Sequence, residues 1–157
     1  MTIHLEMPGW ESCRLEHLVL DLNGTLALDG EVRSGVVERL TTLTPSLTIH
    51  LITADTCGQA TAIAKQLDLC LTRIRAGNEV GQKRALVDRL GAGRVVAIGN
   101  GANDAGMLAA AALGIAVLGP EGLATEALQA ADLVVGQVED ALDLLLHPTR
   151  LVATLRR

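Results

Sequence analysis

Residues 17–25 read His-Leu-Val-Leu-Asp-Leu-Asn-Gly-Thr: a short apolar run that ends on an aspartate and then turns through glycine. Such a run suits a buried strand. The carboxylate at its end stands beside a turn whose backbone N–H groups can meet a ligand. Asp21 placed there could attack phosphorus as a nucleophile and split one displacement into two. An Asx-type turn closing the strand would use the same letters.

Outward from this stretch the chain alternates. Further apolar runs at 47–52, 69–74, 94–98, 114–118 and 132–135 read as strands. Helical periodicity falls at 34–43, 56–67, 79–90, 103–113 and 122–130, with terminal helices at 138–146 and 149–155 separated by Pro148. Strand–helix–strand repetition implies an α/β fold with a doubly wound, Rossmann-like parallel sheet. Ligands of such sheets bind beyond the carboxyl ends of the strands.

Those ends carry a series of polar residues. The second strand leads into Thr53-Ala54-Asp55-Thr56, where a hydroxyl could donate to a phosphoryl oxygen or Asp55 or Thr56 could cap the next helix. Lys83 lies early in the helix after the third strand, where it could neutralise a phosphoryl group or simply be solvated. The fourth strand ends in Gly99-Asn100-Gly101-Ala102-Asn103-Asp104, offering either helix capping or an oxygen ligand for magnesium. Four such positions in order, at four successive strand ends, are more than capping predicts.

Composition narrows the function classes. The 157 residues carry 49% hydrophobic side chains and a formal net charge of −5, with no Phe or Tyr and one Trp. One domain spanning 1–157 is expected, its core built from aliphatic side chains, with 1–16 as an N-terminal strand or extension. No Lys/Arg-rich run favours nucleic acid, and no apolar stretch is long enough for a bilayer. With no basic-then-apolar leader, a soluble cytoplasmic protein without a membrane partner is expected. Cys13, Cys57 and Cys70 match neither a zinc site nor a disulfide framework. The four histidines show no metal-ligand spacing. Asp29-Gly30, between apolar residues at 25–32, signals a tight hairpin.

The four segments resemble the four motifs of the haloacid dehalogenase superfamily over about 21–113, with DLNGTL as the first, Thr53 the second, Lys83 the third and GNGAND the fourth. The GTL and GxGxND parts are most similar to P-type ATPase phosphorylation domains and small soluble proteins like them. The resemblance implies a capless hydrolase core whose flap is the 25–32 hairpin, and a magnesium-dependent phosphohydrolase acting through an aspartyl-phosphate. It makes Asp21 the nucleophile, with Asn23, Thr53 and Lys83 in the catalytic set. The phosphoryl group would be bound by Asp21, Gly24, Thr53, Ala54, Lys83 and Asn103, and magnesium by Asp21, Asn23, Asn100 and Asp104. Asn23 stands where the family has an aspartate acting as general acid/base, and Asn100 where it has an acidic metal ligand. These departures point to a slow enzyme or one favouring good leaving groups, acting on a phosphorylated small molecule or nucleotide. The alternative is a catalytically silent phosphate-binding module. Capless relatives often oligomerise, so a homo-oligomer is compatible with the reading.

Overall fold

The computed structural model describes residues 2–157 apart from 24, 29–30 and 56–57. A six-stranded parallel sheet organises them, built from β3 (His17–Asp21), β6 (Thr48–Thr53), β7 (Cys70–Arg73), β8 (Val95–Gly99), β9 (Leu113–Val117) and β10 (Leu133–Val135) in the spatial order β10-β9-β8-β3-β6-β7. The order reverses at β3, the central strand, whose Leu20 lies between Leu51 of β6 and Ile98 of β8.

Strand alternation sorts the aliphatic side chains to two faces. Leu18, Leu20, Ile49, Leu51, Val96 and Ile98 share a core with α1 (Ser34–Leu43), α2 (Gln59–Leu67), α6 (Val138–Leu146) and α7 (Pro148–Leu155). Val19, Ile52, Val95 and Ala97 share the other with α3 (Glu79–Leu90), α4 (Ala105–Ala110) and α5 (Thr125–Ala130). The fold is therefore α/β, with a doubly wound parallel sheet. A two-pronged Arg39–Asp143 pair (2.7 and 3.0 Å) ties α1 to α6.

Two small antiparallel ladders flank this core. β1 (Ile3–Leu5) pairs with β2 (Cys13–Leu15), so the expected extra strand has a partner that the sequence did not announce. Its turn is clasped to the last helix: Trp10 Nε1 donates to the Leu155 carbonyl at 2.7 Å, and the Arg157 guanidinium lies 5.1 Å from the indole centroid. β4 (Ala27–Leu28) pairs with β5 (Glu31–Val32), while the Asp29-Gly30 turn of the expected hairpin lies outside the described residues.

Three helices differ from their periodicity. The helix expected at 103–113 is a 3-10 turn at Ala102–Asp104 followed by α4, which ends at Ala110. Leu113 belongs instead to β9, paired with Val96. The Ala-rich run 109–112 suits a helix as well as a strand entry, so propensity cannot mark the boundary. The helix expected at 122–130 starts at Thr125, because Gly122 adopts φ +87° and bonds back to Gly119. The one expected at 56–67 begins at Gln59 in its described part, with Thr56 and Cys57 outside the described residues.

Candidate active site

Asp21 is the last residue of the central strand, 8% exposed, at the foot of a cavity of about 630 Å³. The cavity opens at the carboxyl ends of β3, β6 and β8, where the topology places it. Asp21, Asn23, Thr53, Ala54, Lys83, Asn100 and Asn103 all line it. Asp104 lies fully buried beside it, and Gly24 falls outside the described residues.

Lys83 joins the two aspartates. Its Nζ donates to Asp21 Oδ1 at 2.9 Å and to Asp104 Oδ1 at 2.8 Å. Lys83 is only 1% exposed and shares its helix face with buried Leu86 and Val87. That rules out a solvated helical lysine. Asp104 commits its other oxygen as well: Oδ2 accepts the backbone N–H groups of Asn100 and Gly101, each at 3.0 Å. Capping and ion pairing are here the same residue's work. Gly99 is required by this packing, because a Cβ there would stand 2.5 Å from the Asp104 carboxyl carbon.

The triad holds two carboxylates against one ammonium in a buried place. Burial works against a charged Lys83, but Asp21 and Asp104 more than reverse it, so the ammonium keeps its proton above the usual lysine range. Asp21 is pushed up to about 7, first by burial and then by the charge of Asp104, with Lys83 pulling the other way. Deleting Lys83, which would leave two buried carboxylates without a cation, would typically cost about 3–5 kcal/mol.

Asn100 stitches the surrounding loops together. Its Oδ1 accepts from the buried Thr25 hydroxyl at 3.1 Å, and its backbone carbonyl accepts from Ala124 N at 2.9 Å. Thr53, 2% exposed, accepts the Asp55 backbone N–H at 3.0 Å in a tight local turn. Its hydroxyl therefore points its proton elsewhere, with no acceptor among the described residues. Asn103 Nδ2 makes a long contact of 3.4 Å to Glu79.

Asp55, expected only as a helix cap, also lines the cavity, together with Glu79, Glu121 and the 122–124 backbone segment, which were not singled out from the sequence. The 119–124 loop follows β9, so the strand-end rule that found the other positions reaches it too. Away from this site, His50 Nε2 and His17 Nδ1 lie 3.2 Å apart, a pairing in space that their sequence spacing hides. Among the described residues no three His, Cys, Asp or Glu side chains are grouped to hold a metal.

No family model matches the chain. Its fold is similar to that of a putative haloacid dehalogenase family hydrolase from Streptomyces avermitilis (TM-score 0.68, 20% identity, 86% of this chain and 87% of that one). It is similar also to the 3-deoxy-D-manno-octulosonate 8-phosphate phosphatase of Moraxella catarrhalis, solved with magnesium, phosphate and the sugar acid (TM-score 0.70, 19% identity, 90% and 94% coverage). A zinc-transporting PIB-type ATPase aligns over 78% of this chain and 20% of its own (TM-score 0.60, 24% identity). The fold is thus that of the haloacid dehalogenase-type hydrolases. By sequence, the chain belongs to the family of the uncharacterized protein MJ0073 of Methanocaldococcus jannaschii, to which it is 49% identical over 63 residues, 40% of this chain and 68% of that protein.

Proposed function

We propose that this protein is a phosphohydrolase working through Asp21. The observation that carries this reading is the buried Asp21–Lys83–Asp104 triad at the foot of an open cavity. A charge-deficient triad is costly to a fold and is characteristic of a functional site. Asp21 Oδ2 would attack phosphorus while the bond from phosphorus to the leaving oxygen breaks, giving an aspartyl-phosphate that water then hydrolyses. Lys83 holds Asp21 in place and offsets the charge gathering on the phosphoryl oxygens. The Thr53 hydroxyl, whose proton has no acceptor among the described residues, would donate to one of those oxygens. Asn103 and the Ala54 backbone, both lining the cavity, would complete the cradle, with Gly24 as the remaining expected contributor.

Asn23, exposed at the cavity two residues beyond the nucleophile, can neither protonate a leaving group nor activate water. Missing general acid/base help costs roughly 10²–10⁴ in rate. The reading therefore favours an anhydride or another good leaving group on a phosphorylated small molecule or nucleotide.

The donors within reach of a magnesium ion are the Asp21 carboxylate, the backbone carbonyl of Asn23 and the amide oxygen of Asn100. Asp104 has both oxygens engaged by Lys83 and the loop N–H groups. One carboxylate and two neutral oxygens fit a magnesium ion shared with a phosphate. Bound there, the ion would supply positive charge to the phosphoryl oxygens.

Hydrolysis of acetyl phosphate, p-nitrophenyl phosphate and nucleotides, with magnesium present, tests the proposal. Wild type is expected to turn over at least one of them, acetyl phosphate fastest, and Asp21→Asn none. Equal rates for the two proteins overturn it. Asn23 and Asn100 favour a second reading, a phosphate-binding module without turnover, which predicts no hydrolysis by wild type but retained binding of phosphate ligands.

A further inference from the structure

The charge inventory of the cavity leads past phosphate chemistry in general to the form in which the phosphate arrives. Asp21, Asp55, Glu79 and Glu121 line the cavity, and Asp104 lies directly behind it. Lys83 is the sole lysine or arginine among the described lining residues, and its ammonium is already bonded to both buried aspartates. A bare phosphate dianion would therefore enter a site of its own sign, against Coulomb repulsion strengthened by burial. The protein offers a metal too little to hold it alone: among the described residues no three acidic, His or Cys side chains are grouped to bind one, and Asp21 is the charged donor beside the Asn23 carbonyl and the Asn100 amide. Magnesium gives up its waters reluctantly and is usually held by one or two carboxylates together with the phosphate itself.

We propose that the site binds its substrate as a preformed magnesium complex of a di- or polyphosphate, with no metal resident beforehand. This rests on the phosphohydrolase reading and narrows its substrate class. Adjacent phosphoryl groups chelate magnesium in solution, so the complex brings its own counter-charge into the acidic cavity. Asn23 agrees independently, because a phosphoanhydride leaves without the protonation that an amide cannot provide. Asn100 is the determinant: an aspartate there would add a second carboxylate to the donor set of Asp21, Asn23 and position 100.

Equilibrium binding, which needs no turnover, tests this separately from catalysis. Titration calorimetry and thermal shift would use wild-type protein with magnesium chloride alone, methylenediphosphonate alone in chelator, and the two together. Neither component alone is expected to bind at millimolar concentration. The pair is expected to bind with a saturable rise in Tm and an affinity about tenfold or more above that of the diphosphonate alone, equivalent to about 1.4 kcal/mol. Asn100→Asp is expected to bind magnesium alone, with its own rise in Tm. Saturable binding of magnesium alone by wild type overturns the proposal, as does equal affinity for methylenediphosphonate with and without magnesium. Phosphoethanolamine, which carries its counter-charge as an ammonium, also overturns it if it binds without metal as tightly as the magnesium–diphosphonate pair. A failure of every ligand to bind overturns it together with the phosphate-site reading, whereas binding without turnover leaves this proposal standing and removes the catalytic one.

Discussion

Asp21 carries a charge that the folded protein resists. Its carboxyl, raised to about 7, holds a proton more tightly in the folded chain than in the unfolded one. Below about 4 both states are protonated, so stability is full there and is lost as pH rises through about 7. Asp21→Asn removes the cost and leaves Lys83 and Asp104 as a balanced pair. Above neutrality the variant is expected to unfold at higher temperature, by on the order of 1 kcal/mol or more, and scanning calorimetry would show it. A lower Tm for the variant would refute this account of the triad. On the proposed reading attack needs the ionised carboxylate, so kcat/KM for the magnesium–substrate complex, which reports the free protein, should climb with pH through about 7. Asp104→Asn takes away the like charge and should move that midpoint down, and an unmoved midpoint contradicts the assignment of cause. The residues themselves were legible in the sequence as an ordered series at strand ends. Their partnership was not. Lys83 stands three and four residues before Leu86 and Val87, on the buried stripe of its helix, and a cation on such a stripe must be paired. Its two partners lie 62 and 21 residues away, a distance that periodicity does not span.

The strands and most helices followed from alternating apolar runs, because buried parallel strands in this chain are nearly continuous in Val, Leu and Ile. The misplaced boundaries share one physical origin, which is contact across elements. α4 stops at Ala110 since the next residues must swing into β9, and Gly114 enters that strand pressed against the helix end. A Cβ on Gly114 would lie 2.4 Å from the Leu108 carbonyl oxygen. Gly114→Ala is therefore expected to destabilise by about 1–3 kcal/mol. Gly93→Ala, where a Cβ meets nothing within 4 Å, should change stability by less than about 0.5 kcal/mol. Urea unfolding of the two variants side by side checks the contrast, and similar losses for both would undo it. The clasp of Trp10 on Leu155 and Arg157 was equally hidden, since it joins segments at opposite ends of the sequence.

Across the whole molecule, the candidate-site end of the sheet is acidic while the other end holds a pair of histidines. Burial, with a further push from His17, lowers His50 to about 4, and burial also lowers His17. Both stay neutral in the folded protein after the unfolded chain has begun to take up protons near pH 6.5. The contribution of the pair to stability should thus be undiminished above about 6.5 and fall as the solution is acidified toward 4. His50→Gln should flatten that fall in urea titrations compared across this range, and an unchanged slope would argue against the pair as its source. No helix among the described residues is long and apolar enough to cross a membrane. The strand order holds one more consequence. Every sheet strand up to Arg73 lies on the β7 side of the line between β3 and β8, and every one from Val95 onward lies on the other. Asp21 comes from the first half of the chain and Lys83, its partner at 2.9 Å, from the second. A ribosome that has made only the first half has made an aspartate without its cation. The ion pair closes only when the second half docks and brings the lysine with it.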